Sequence, residues 1–160
     1  MHIPRKRFGQ HFLSDQRVIQ HIVDSLSPQQ HQHLIEIGPG QGALTLPVLK
    51  RVKTLEAVEL DRDLIPVLQS RTQAIGQLEI YPADVLTFDF SEIKKDERLL
   101  RIFGNLPYNI STPLIFHLNQ YASLINDMVF MLQKEVAERL AAKVNTAHYG
   151  RLSVMRLFRG

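Results

Sequence analysis

Cysteine is absent from the 160 residues, which excludes a disulfide framework and thiolate metal sites and fits a reducing compartment. Also missing is any run approaching the ~18 apolar residues that a membrane span requires. The basic N-terminus, MHIPRKRFGQHF, is not followed by the apolar stretch of a secretory leader. No internal repeat, low-complexity tract or linker interrupts the chain. These absences predict a cytoplasmic protein with no membrane partner. What is present suits one folded domain: hydrophobic residues make up 44% and charged residues 22%, enough of the former to build a core.

The net charge of +3 is unevenly spread. Arg5, Lys6 and Arg7 give the first ten residues +3, and the last 28 residues net +4, so the stretch between them nets −4. Basic ends around an acidic middle suit a polyanionic partner that touches the ends, and they also suit plain solvated faces. The seven histidines are scattered. His31 and His33 form a short spaced pair in a polar run, read as an exposed loop and not as a metal site.

Strands and helices alternate along the chain. Ser14 can cap a helix whose Val18, Ile19, Ile22, Val23 and Leu26 share one face. HLIEIGPGQGALTLPVLKR then reads as strand, Gly-rich turn and helix, with Pro47 tolerable near the helix start. TLEAVELDRDLIPVLQSR repeats the pattern, and LEIYPADVLTFDF supplies a third strand. In LLRIFGNLPYNISTPLIFHL, a fourth strand leads to a helix capped by Ser111 or Thr112 with Pro113 in its first position. DMVFMLQKEVAERLAAK gives a fifth unit, with Val136, Leu140 and Val144 along one helix face. This predicts an α/β, Rossmann-like parallel sheet with helices on both faces, because parallel strands need crossovers. The chain ends in LSVMRLFRG with no strand expected after the last helical segment, so the sheet is expected to lack its last strands.

In such sheets ligands sit beyond the carboxyl ends of the strands. The first strand runs into Glu36-Ile37-Gly38-Pro39-Gly40-Gln41-Gly42, where Gly38 and Gly40 let backbone approach a ligand; with Ala43 it also fits a dinucleotide fingerprint. The second ends in Glu59, placed to accept bonds from ribose hydroxyls; Asp61 and Asp63 read as helix-dipole partners. Asp84 after the third strand can accept from an adenine amino group. These residues predict an adenosine-containing cofactor without separating NAD from S-adenosylmethionine.

The corner Asn105-Leu106-Pro107-Tyr108 separates them. An amino nitrogen conjugated to a base ring is a poor nucleophile. The Asn105 Oδ1 and the Leu106 carbonyl can accept its two N–H bonds, favour a pyramidal nitrogen and aim it at a methyl donor. Pro107 stiffens the corner and Tyr108 can stack on the base. Asn109 reads as a turn or capping residue.

KRFGQHFL, EIGPGQGALT, VELDRDL, GNLPYNISTPLIFHL, MLQKEVAERL and YGRLSV, in this order over nearly the whole chain, resemble the KsgA/RsmA-type ribosomal RNA adenine dimethyltransferases. The resemblance implies an S-adenosylmethionine-dependent methyltransferase. It would transfer four methyl groups to N6 of two adjacent adenosines near the 3′ end of bacterial small-subunit ribosomal RNA, and bind the immature small subunit. It places cofactor contacts on His11, Leu13, Gly38, Glu59, Asp84 and Asn105, beside the Gly40 of the same turn; the family more often has Asn where this chain has His11. Arg5, Lys6, Arg7, Lys134 and Arg151 are expected to meet RNA phosphates, in a monomer. Family members continue into two further strands, an aromatic-containing motif and a helical C-terminal domain, so residues 1–160 are expected to be a catalytic domain incomplete at its C-terminus. Three rivals are a non-catalytic RNA-binding assembly factor, an Erm-type large-subunit RNA methyltransferase and an NAD-dependent oxidoreductase.

Overall fold

Strands buried on both faces must be apolar at successive positions, and their alternate side chains must feed two separate cores. The computed structural model shows this arrangement; it describes residues 15–140, 145–149 and 152–158, with 145–149 and Phe158 described by backbone alone. In β1 (His33–Ile37), Leu34 packs on one side of the sheet while Ile35 and Ile37 pack on the other. In β4 (Leu100–Asn105), Leu100 and Ile102 oppose Phe103. In β5 (Ile125–Gln133), Phe130 and Leu132 oppose Val129 and Met131.

The first core is closed by α1 (Gln16–Leu26), which buries the five expected residues Val18, Ile19, Ile22, Val23 and Leu26, and by α2 (Thr45–Val52). Ser14 lies outside the described residues; Asp15 caps α1, accepting a bond from the Arg17 N–H at 2.9 Å. Pro47 sits in the first turn of α2, where its missing N–H costs no helix bond. The opposite core is closed by α4 (Ser111–Asn119) through Leu114 and Leu118 and by α5 (Lys134–Leu140) through Val136 and Ala137, with Leu140 partly buried against it. Val144 lies outside the described residues. The start of α4 differs from expectation: Ser111 is its first residue and donates to the Tyr108 carbonyl, and Pro113 stands third.

With β2 (Thr54–Glu59), β3 (Gln77–Pro82), β6 (Asn145–Tyr149) and β7 (Leu152–Phe158), the sheet has seven strands in the order β3-β2-β1-β4-β5-β7-β6. The first five are parallel, α3 (Leu64–Thr72) linking β2 to β3, while β7 runs antiparallel to β5 and to β6. The Rossmann-like reading therefore holds, but the expectation of missing last strands does not. LSVMRLF has no polar–apolar alternation because Ser153, Val154 and Met155 are all buried, and Asn145–Tyr149 pairs with it as a hairpin.

Charges buried in the sheet are paired at the starts of the strands. Arg101 of β4 grips Asp127 of β5 with two bonds, Nε to Oδ1 at 2.7 Å and Nη2 to Oδ2 at 2.8 Å. Arg156 of β7 approaches the same carboxylate at 3.1 Å and donates to the Ser25 carbonyl, linking β7 to α1. A bulge at Asn126 puts Arg101 and Asp127 side by side. Burial alone would raise the Asp127 pKa, but hydrogen bonds and charge from Arg101, with the charge of Arg156, hold it below the usual range. His33 is likewise no loop residue: it opens β1, is buried, and hydrogen-bonds Glu56, which also accepts the Tyr81 hydroxyl at 2.6 Å.

Gly104 lies opposite Ile37 in the β1–β4 ladder. A Cβ there would stand 2.5 Å from the Ile37 carbonyl oxygen, an obstacle of backbone that no rotamer change relieves. Gly104→Ala should lower stability by about 1–3 kcal/mol, read as an earlier denaturant midpoint. An unchanged midpoint would show that the two strands do not depend on this close approach.

Candidate active site

The strand order reverses at β1: β2 and β3 lie to one side, β4 and β5 to the other. Loops leaving β1 and β4 diverge from this point, and a crevice opens between them. It encloses about 900 Å³ of space open to solvent. Its wall brings together Gly38 and Gly40 after β1, Glu59 at the end of β2, Asp84 beyond β3, and Asn105 and Pro107 after β4.

The Gly-rich turn needs its glycines for conformation. Gly38 and Gly40 have φ of 59° and 60°, a region that a side chain disfavours. The turn is held by a bond from the Gly38 N–H to the Val58 carbonyl and another from the Gly42 N–H to the Pro39 carbonyl, both 2.9 Å. Glu59 ties it to β2, its Oε1 accepting from the Gly40 N–H at 3.0 Å and its Oε2 from the Asp61 N–H at 2.9 Å. Each carboxylate oxygen can accept a second bond, so Glu59 keeps capacity for ligand hydroxyls. Burial raises its pKa, opposed by the backbone bonds from Asp61 and Gly40. Asp84 orders its own turn, Oδ1 accepting from the Leu86 N–H at 3.0 Å, while lining the cleft.

The β4 corner is similarly fixed. Asn105 ends the strand opposite Met131, and the Leu106 N–H donates to the Met131 carbonyl at 2.9 Å. The Leu106 side chain is buried in the core beneath α4, and of the corner residues Asn105 and Pro107 line the cleft. The Ile110 N–H closes a turn on the Pro107 carbonyl at 3.2 Å, placing Asn109 within it. Tyr108, 59% exposed, stands outside the wall, where a base could meet its ring.

Two contributors had no role assigned from sequence. Glu36 is 2% exposed, lines the cleft and accepts from the Thr45 hydroxyl at 2.6 Å. Burial pushes its carboxyl up to about 8, the Thr45 bond opposing and the Glu59 charge adding to the rise. An acid among Leu34, Ile35 and Ile37 on a doubly buried strand was the available signal. Arg71 of α3 donates to the Gln41 carbonyl at 2.7 Å and pins the outside of the Gly-rich turn; nothing in its local sequence marks it.

The acidic side chains among the described lining residues are Glu36, Glu59 and Asp84, with no Lys, Arg or His among those residues. Such a wall repels a pyrophosphate and favours a cation. Of the expected phosphate contacts, Lys134 opens α5 partly exposed, 3.9 Å from Glu138. Arg5, Lys6, Arg7, His11, Leu13 and Arg151 lie outside the described residues.

A family model described as ribosomal RNA adenine dimethylase matches residues 1–159. A "Ribosomal RNA small subunit methyltransferase A" from Hahella chejuensis is 56% identical over 96% of this chain and 56% of its own length. Another of that name from Nitrosococcus oceani is 54% identical over 98% of this chain and 60% of its own length. The chain thus spans little more than half the length of these relatives. Among solved structures, a dimethyladenosine transferase from Plasmodium falciparum superposes with a TM-score of 0.76 at 25% identity, over 91% of this chain and 62% of its own. The 23S rRNA methyltransferase ErmE shares the fold, with a TM-score of 0.79 at 21% identity, over 94% of this chain and 70% of its own.

Glu36 also sets a pH dependence of stability. Its folded pKa, about 8, is above its ordinary value of 4.5, so the stability of the neutral form is fully present below about 4.5 and declines as pH rises towards 8. Glu36→Gln should therefore gain stability relative to the parent between those pH values, with the gap levelling above them. Urea titrations across that range check it; a gap independent of pH would show that Glu36 is already ionised in the folded chain.

Proposed function

The chain belongs to the ribosomal RNA adenine dimethylase family, and on that premise we propose that residues 1–160 form the S-adenosylmethionine-binding domain of an N6,N6-adenine dimethyltransferase. Its substrate is two adjacent adenosines near the 3′ end of bacterial small-subunit ribosomal RNA, met on the immature subunit by a cytoplasmic monomer. The observation that carries this reading is the join of an all-acidic cofactor cleft to the Asn105–Tyr108 corner at one switch point. An NAD-dependent oxidoreductase fits poorly, because its pyrophosphate would face Glu36, Glu59 and Asp84 with no cation in the described wall. A sulfonium with an ammonium suits the same wall. No helix among the described residues is long and apolar enough to cross a membrane.

When bound, S-adenosylmethionine supplies an electrophilic methyl group. The chain's own residues do the rest. Glu59 accepts the ribose hydroxyls, Asp84 accepts from the adenine amino group, and Gly38 and Gly40 let the backbone come close. His11 and Leu13 complete the cofactor contacts. The target adenine leaves its stack and enters beside Pro107, with Tyr108 against its face. Asn105 Oδ1 and the Leu106 carbonyl would accept hydrogen bonds from the N6 amino group, which orients the nitrogen lone pair towards the methyl donor. No strong base is needed, since the nitrogen becomes acidic as its new bond forms and its proton leaves to water. Arg5, Lys6, Arg7, Lys134 and Arg151 supply the positive charge that meets RNA phosphates.

Incubation with S-adenosylmethionine and unmethylated small-subunit particles should yield dimethyladenosine. Methylation of naked large-subunit RNA in its place would move the substrate to the Erm type, and cofactor binding without methyl product would leave a non-catalytic assembly factor. Asn105→Ala should cut methyl transfer at least about 100-fold while changing cofactor affinity far less; near-normal turnover would refute its role. RNA affinity should fall steeply between 50 and 200 mM salt, with a log–log slope near −0.7 to −0.9 for each phosphate contacted. A flat response would remove the basic segments from the interface.

A further inference from the structure

We propose that Glu36 is a neutral carboxylic acid in the cofactor-free cleft and loses its proton to bulk solvent when a cationic cofactor enters, so that binding and proton release are one linked event. The inference rests on the reading that this cleft takes S-adenosylmethionine, and adds to it a proton that the ligand displaces.

The surroundings of Glu36 carry the argument. It lies on β1 under the Gly-rich turn, almost wholly shielded from solvent. From α2 it receives one neutral hydrogen bond, that of Thr45. From β2 it faces the carboxylate of Glu59, and the third acidic residue of the described wall, beyond β3, is Asp84. From β4 the wall supplies Asn105, which carries no charge. Among the described residues a carboxylate here would be buried with no counter-charge in the wall and beside another acid, which favours protonation. The raised Glu36 pKa agrees with this. Glu59 differs in accepting two backbone N–H bonds, which favour its ionised form. A cation entering the cleft supplies what Glu36 lacks. The O–H bond then breaks heterolytically, the proton passes to buffer, and the carboxylate faces the ligand's charge.

Because only the ionised form favours the cation, affinity should climb by up to about tenfold per pH unit below the Glu36 pKa and level off above it. Calorimetry of the 160-residue chain with S-adenosylmethionine at pH 7, in two buffers of different ionisation enthalpy, counts the protons. The parent should release about one proton more than Glu36→Gln, a comparison in which the ligand's own amino group cancels. Thr45→Val, which removes the bond favouring the ionised form, should move the plateau of affinity to higher pH. Equal proton numbers in parent and Glu36→Gln would overturn the inference while leaving the cofactor reading intact. So would a parent affinity that rises no more between pH 6 and 8 than the ligand's amine explains, a result that needs no variant. Absence of any binding would instead overturn the cofactor reading, and this inference with it.

Discussion

The approach of β1 to β4 at Ile37 and Gly104 is the contact on which the site depends. Two parallel strands drawn this close leave no room for a side chain between their backbones, and the loops that follow them start from adjacent points before diverging. That geometry puts the Gly-rich turn within one cleft of the Asn105 corner. A donor and an acceptor can be held in line only if the walls carrying them are fixed to each other. Here they are fixed by strand hydrogen bonds, the Leu106 N–H to Met131 tying the corner to β5 as well.

The two ends of the sheet treat charge in opposite ways. At the starts of the strands, buried Asp127 is matched by Arg101 and Arg156, and Glu56 by His33, Tyr81 and Lys95. At the other end, Glu36, Glu59 and Asp84 share a cleft with no cation among its described lining residues. Pairing the first set offsets the cost of burying those charges. Leaving the second set unmatched holds the cleft ready for a positive ligand, and the strain of like charge is relieved by keeping a proton on Glu36.

The chain superposes over most of its length on a solved dimethyladenosine transferase at 25% identity. Arg156 matters here because it joins β7 to Asp127 and to the Ser25 carbonyl at the end of α1. The last strand thereby shares in the ionic network that registers β4 and β5.

Local pattern by itself determined the five parallel strands, the helices that follow β1, β2, β4 and β5, the buried face of α1, and the placement of Gly38, Glu59, Asp84 and Asn105 at or just beyond strand ends, because apolar periodicity and turn residues act over a few neighbours; between β3 and β4 the expected helix is only a 3-10 turn, Phe90–Ile93. It misjudged what depends on partners far along the chain. Leu152–Phe158 becomes a strand because β5 offers an edge to pair with, and His33 is buried because Glu56 waits on the adjacent strand. Glu36 was visible as a residue but not as a neutral acid, since its state follows from Thr45, Glu59 and exclusion from water acting together. Arg71 reaches the Gln41 carbonyl across 30 positions. Short-range sterics and hydrophobic period can be read along a line; charge state and edge pairing are decided by distances in space, which only the folded sheet sets.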